Sequence, residues 1–193
     1  MYSPPRSLRG TLWSVLVLFS VAGFYLAGAG SAAAAPIITE FLAINSGEGL
    51  VDSDGDSSDW IEIFNPDAEA VDLEGYGLSD DEDRPLRWLF PAVSLEPGAY
   101  LVVFASGKDR AVAGEELHAN FSLSGDGEYL ALSDAGGSPV FLYAPEFPEQ
   151  QRDISYGGMP GLGFGYFLEP LTVGTARGRL EKVTKAQPWH ATV

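Results

Sequence analysis

Glycine and proline recur at short intervals along the chain beyond residue 35, and the full sequence carries 23 of the first and 13 of the second in 193 residues. Each costs a helix interior about 1 kcal/mol (Gly) or about 3 kcal/mol (Pro) relative to alanine. Placed this often, they cut every run of apolar residues before a 3.6-residue period can establish itself. What survives between them are short apolar stretches of the kind that form strands joined by tight turns.

The strands can be read in order. Ile37 to Ile44 is the first and Asp59 to Asn65 the second. In the second, Ile61 and Ile63 share one face, while Trp60, Glu62 and Phe64 share the other, because side chains alternate along a strand. Short segments follow at Ala70–Leu73 and Tyr76–Asp80, then Leu86 to Phe90, which stops at Pro91. Pro97-Gly98 closes a turn. Tyr100 to Ala105 is apolar on both faces and should lie inside a sheet. Asn120–Leu123, Glu128–Leu132, Pro139–Tyr143 and Asp153 to Gly157 complete the series. About nine such strands in roughly 130 residues imply a sandwich or a barrel.

Composition agrees that there is a core to build. The apolar fraction is 46% and the aromatic fraction 12%, more than an acidic disordered chain would have to bury. With no cysteine, disulfides, thiolate metal sites and a cysteine nucleophile are excluded, and the core, or bound ions, must hold the fold.

The first 35 residues differ. Arg6 and Arg9 precede an uncharged apolar stretch from Leu12 to Leu26, followed by the small residues of AGAGSAAAAP. This is the order of a signal peptide helix, with cleavage after Ala33 or Ala34. Uncleaved, the stretch from Thr11 to Ala35 would be long enough to span a bilayer. Removing the two arginines from a net charge of −16 leaves −18. A surface so negative repels phosphate backbones and excludes nucleic acid as a partner.

The acidic residues are clustered. Asp52, Asp54, Asp56 and Asp59 stand in the loop DSDGDSSDW. Clustered carboxylates suit calcium. Against an EF-hand loop, Gly55 falls inside the aspartate series, and the twelfth position from Asp52 is Ile63, which cannot ligate. A solvated turn, with Asp and Gly serving turn geometry, is the plainer reading of the same residues. Catalysis finds little support. His118 and His190 are the only histidines, and Ser124 lacks the leading glycine of a nucleophile elbow. The aromatic face of Trp60 and Phe64 could stack on sugars or peptides, or pack against the loop that precedes it.

Taken in order, these residues resemble the lamin tail domain of bacterial surface proteins. The resemblance runs from Glu40 and Asn45 through Asp54 to Asp56, Asp59 to Glu62, Asn65 and Leu73 to Asp80. It continues with Leu95, Gly98, Tyr100 to Ala105, Asn120 to Leu123, Asp126-Gly127, Leu130 to Leu132, Ser155 to Gly157 and Tyr166 to Pro170. It implies an all-β, immunoglobulin-like β-sandwich over residues 36–170, behind a signal peptide at 1–35. After Pro170 the chain departs from the family's usual ending. Arg177, Arg179, Lys182 and Lys185 make residues 171–193 a basic tail without strand pattern, disordered or truncated.

The resemblance implies a non-catalytic, exported binding or scaffolding module, periplasmic, on the cell surface or extracellular. Its partner would be a protein or a cell-envelope polysaccharide, with the membrane touched only through an uncleaved export signal. The alternative is the N-terminal fragment of a larger multidomain surface protein whose activity lies downstream.

Overall fold

The computed structural model describes residues 34–47 and 50–158, and the backbone of two strands at 165–168 and 186–187. The export segment lies outside the described residues, as does most of the basic tail. No helix is found among the described residues. The strands are β1 (Ile37–Leu42), β2 (Asp59–Phe64), β3 (Val71–Asp72), β4 (Gly77–Ser79), β5 (Trp88–Leu89), β6 (Ser94–Leu95), β7 (Tyr100–Ala105), β8 (Leu117–His118), β9 (Leu130–Ser133), β10 (Pro139–Tyr143), β11 (Ser155–Gly157), β12 (Gly165–Leu168) and β13 (Ala186–Gln187).

They form a seven-stranded sheet in the order β13-β12-β11-β1-β2-β7-β8, a four-stranded sheet in the order β10-β9-β4-β5, and the small pair β3-β6. All pairings are antiparallel except β7 with β8. This is the immunoglobulin-like β-sandwich that the sequence implied, with a core between two sheets.

Register explains how the core is built. Tyr156, Phe41, Ile61, Val103 and Leu117 stand side by side across β11, β1, β2, β7 and β8. All five are buried on the inner face. Leu78, Trp88, Leu130, Leu132 and Tyr143 of the other sheet meet them there. The Phe41 ring lies 5.4 Å from Tyr143, 4.6 Å from Phe147 and 5.7 Å from Tyr156, so one aromatic knot ties both sheets together. Edge-to-face pairs of this kind add to the area they bury.

Strict alternation would put Ile38 and Phe41 on opposite faces, yet both are in the core. The register shift between Ile38 and Glu40, opposite Glu62, is the bulge that allows it. On the outer face, Glu40 and Glu62 stand across from one another. The Ser155 hydroxyl donates to Glu40 at 2.6 Å and the Thr39 hydroxyl to Glu62 at 2.7 Å.

Three elements differ from the sequence reading. Asn120–Leu123 is not a strand. Phe121 and Leu123 are buried from a loop, and the strand is β8, just before them. Ser94–Leu95, not among the strands read from the sequence, pairs with β3. Finally, β13 falls within the tail read as strandless, and its backbone pairs with β12 through Gly165↔Gln187 and Tyr166↔Ala186.

Candidate functional site

The second outer row carries the most chemistry. Leu42, Trp60, Phe104 and His118 stand in register across β1, β2, β7 and β8. Leu42, Trp60 and Phe104 form a small buried cluster of their own, with Leu50 and Val102 packed against it. Trp60 is fully enclosed, so it packs beneath the preceding loop instead of facing solvent. Phe64, further along the same face, is half-buried with its ring 4.6 Å from Tyr100.

Residues 50–58 make a loop whose neck is closed by one side chain. Asn45 Nδ2 donates to the Leu50 carbonyl at 2.6 Å and to the Ser58 carbonyl at 2.9 Å. At the tip, Asp52 Oδ1 accepts the amides of Asp54 (3.1 Å) and Asp56 (3.0 Å), and Oδ2 accepts the Ser58 hydroxyl (2.8 Å). Aspartate that bonds the backbone just ahead is a turn builder. Gly55, at φ 87°, takes the left-handed position the turn requires.

The structure therefore brings Asp52, Asp54 and Asp56 together, with one carboxylate oxygen of each within 4.8 Å of the others. Asp59 is not among them. Its carboxylate is turned to the backbone amides of Asn45 (3.5 Å) and Leu123 (3.3 Å). Burial pushes Asp59 up to about 6, with the nearby charge of Glu128 adding to the effect and the two amides opposing it.

A cation already stands among the three. Lys108 Nζ lies 2.6 Å from Asp52 Oδ2, 2.8 Å from Asp54 Oδ2 and 2.9 Å from Asp56 Oδ2. Arg110 reaches Asp54 at 2.7 Å. Burial alone would raise Asp52, but the Lys108 ammonium, the Asp56 amide and the Ser58 hydroxyl outweigh it and hold the carboxyl far below its usual range. Asp54 is lowered by Arg110 and then Lys108. Lys108 is raised in turn, first by Asp52 and then by Asp54. Calcium bound by these carboxylates needs oxygens at about 2.3–2.6 Å, so it could enter only where the ammonium now sits.

The loop is also tied to β8. Glu116 Oε1 accepts the Ser53 amide (2.9 Å) and hydroxyl (2.8 Å), and lies 2.9 Å from His118 Nε2. Burial works to raise Glu116, but the Ser53 and His118 contacts outweigh it and lower it. His118 Nδ1 is 2.9 Å from Ser106 Oγ, and its ring stacks on Phe104 with centroids 5.4 Å apart. An ionised Glu116 can only accept, so Nε2 carries the proton of that bond. Serine, histidine and carboxylate in series is an order that nucleophilic catalysis uses. Here the ring is fully buried and both nitrogens are engaged, so the series acts as a strut between the ends of β7 and β8.

Sequence reasoning missed Lys108, Arg110, Glu116 and Ser106. A signal was present for two of them. Lys108 and Arg110 are the only positive charges between Arg87 and Arg152, so an acidic loop in the middle of the chain had few other cations to draw on.

Comparison with known protein families gives a match. The family model described as Lamin Tail Domain covers residues 30–144, well over half of the chain. No curated protein matches the chain.

Proposed function

Since the chain belongs to the lamin tail domain family, we propose that it is an exported, non-catalytic module that binds or scaffolds at the cell surface or in the periplasm. Its partner is a protein or a cell-envelope polysaccharide. The observation that carries this reading is how the reactive side chains of the fold are used. His118 has both nitrogens engaged inside the protein, and the acidic loop is ion-paired with Lys108 and Arg110. A domain whose polar chemistry is spent on its own rigidity suits presentation of a fixed surface, because pre-ordered groups lose less entropy on binding. Export is supported by Arg6 and Arg9 ahead of the apolar stretch and the small-residue run before Pro36.

Expression of the full chain in a bacterial host competent for export tests this. The mature protein should leave the cytoplasm with its N-terminus near Ala35, and it should sediment with isolated cell envelopes. A cytoplasmic protein beginning at Met1 would overturn export. An exported protein that stays in the supernatant with envelopes would overturn the binding role at that surface.

A further inference from the structure

We propose that residues 50–58 are a lid, latched by Lys108, over the outer-face row of Leu42, Trp60 and Phe104. Three observations converge on this. Leu50 packs on the row, and Asn45 holds both ends of the loop at its neck, so the loop moves as a unit hinged near Asn45. Beneath it, the Trp60 indole N–H is buried and has no acceptor among the described residues. A buried donor without a partner gains a hydrogen bond from water as soon as its cover lifts. Above it, the Asp52 carboxylate is buried, with 4% of the residue exposed, and its charge is met by the Lys108 ammonium at 2.6 Å.

Among the loop's ion pairs, the energetics make Lys108 the latch and Arg110 minor. Arg110 and Asp54 are 46% and 40% exposed in their side chains, and exposed ion pairs contribute little. Asp52 differs because it is enclosed. Removing its cation leaves a buried carboxylate without a counter-charge, held only by the Asp54 and Asp56 amides and the Ser58 hydroxyl of the loop itself. The loop can relieve that only by opening and hydrating the charge. Opening also satisfies Trp60, so two groups favour the open state, and the ammonium, beside the exposed Ser53 bonds to Glu116, holds it closed.

The test is exchange of the Trp60 indole proton with water, followed by NMR on the full chain. Trp88, whose indole N–H is also buried without an acceptor but lies in the inner core, is the internal control. In Lys108→Met the Trp60 proton should exchange at least about tenfold faster, as expected for an opening made about 1.4 kcal/mol easier, while Trp88 and the Val103 amide keep their protection. Lys108→Arg should restore slow exchange. If Lys108→Met unfolds altogether, Trp88 and Val103 lose protection too. Lys108→Gln, which keeps a donor beside Asp52 but removes its charge, then gives the decision through a smaller acceleration confined to Trp60. Unchanged Trp60 exchange in a folded Lys108→Met, or in Lys108→Gln where Lys108→Met does not fold, overturns the proposal.

Discussion

Substituting Gly157 by alanine should be among the most damaging small changes available in this domain. Gly157 lies on β11, opposite Glu40 of β1. An ideal Cβ there would stand 2.1 Å from the Thr39 carbonyl oxygen, 2.9 Å from Glu40 Cα and 3.0 Å from the Thr39 carbonyl carbon. All three are backbone atoms of the neighbouring strand, so no side-chain rotation relieves the contact. Overpacking costs about 1–3 kcal/mol when side chains can yield, and here the strands themselves must part. Parting them also endangers the Gly158 N–H bond to Thr39 O, 3.0 Å long, at about 0.5–1.5 kcal/mol. The expected loss is about 3–4 kcal/mol from a total of roughly 5–15 kcal/mol. With a urea slope of about 1–3 kcal/mol per molar, the midpoint should fall by about 1–4 M. Gly55 is the control. A Cβ there meets nothing within 4 Å, and only left-handed strain of about 1–2 kcal/mol applies. The comparison bears on the fold, because the family match ends at residue 144 and β11 lies beyond it. Equal midpoints for Gly157→Ala and Gly55→Ala would refute the pairing of β11 with β1.

Two further outcomes follow from burial and charge. Ile63→Asp puts a carboxylate into the inner face at a fully buried position, at a cost of several kcal/mol that rivals the whole stability; a cooperative thermal transition at the wild-type midpoint would contradict the strand facing. Asp59, raised by burial from the ordinary carboxylate range to about 6, binds its proton more tightly folded than unfolded. Its contribution is therefore fully present below about pH 4 and lost as pH rises through about 6, a swing on the order of 2–3 kcal/mol at most. Asp52, held low by Lys108, works in the opposite sense, and its contribution is lost as pH falls below about 4. Asp59→Asn should flatten the decline in urea midpoint between pH 4 and 7; an unaltered slope would mean that Asp59 does not carry it.

Much of the fold was legible because the sandwich depends on alternation. Ile61 and Ile63 face the core and Trp60 and Glu62 face outward, as a period of two requires. Tyr100 to Ala105 lies between two strands, as its apolar character on both faces implied. The bulge at Thr39-Glu40 was not legible, since an extra residue in a strand leaves no mark on composition. Phe121 and Leu123 misled for a related reason. Apolar residues signal burial, and burial from a loop reads like burial from a strand. Strand β8 has two residues and pairs in parallel with β7, a contact that no local pattern announces. The acidic loop was legible as a turn and as a cation site. Its cation was not, because Lys108 is 56 residues from Asp52 and only the fold brings the two together.

The measurement that bears most directly on that last point is the melting temperature of the wild-type chain in calcium and in magnesium at equal ionic strength. Magnesium holds its waters and demands octahedral geometry, whereas calcium accepts a flexible acidic loop, so a true ion site would favour calcium. Calcium at a hundredfold excess over its dissociation constant would add about 2.7 kcal/mol, or roughly 5–10 °C for a chain of this size. With Lys108 already among the three carboxylates, the account predicts the same melting temperature in both ions. A rise specific to calcium, absent from Asp54→Asn/Asp56→Asn, would contradict it and make Lys108 a placeholder for the metal.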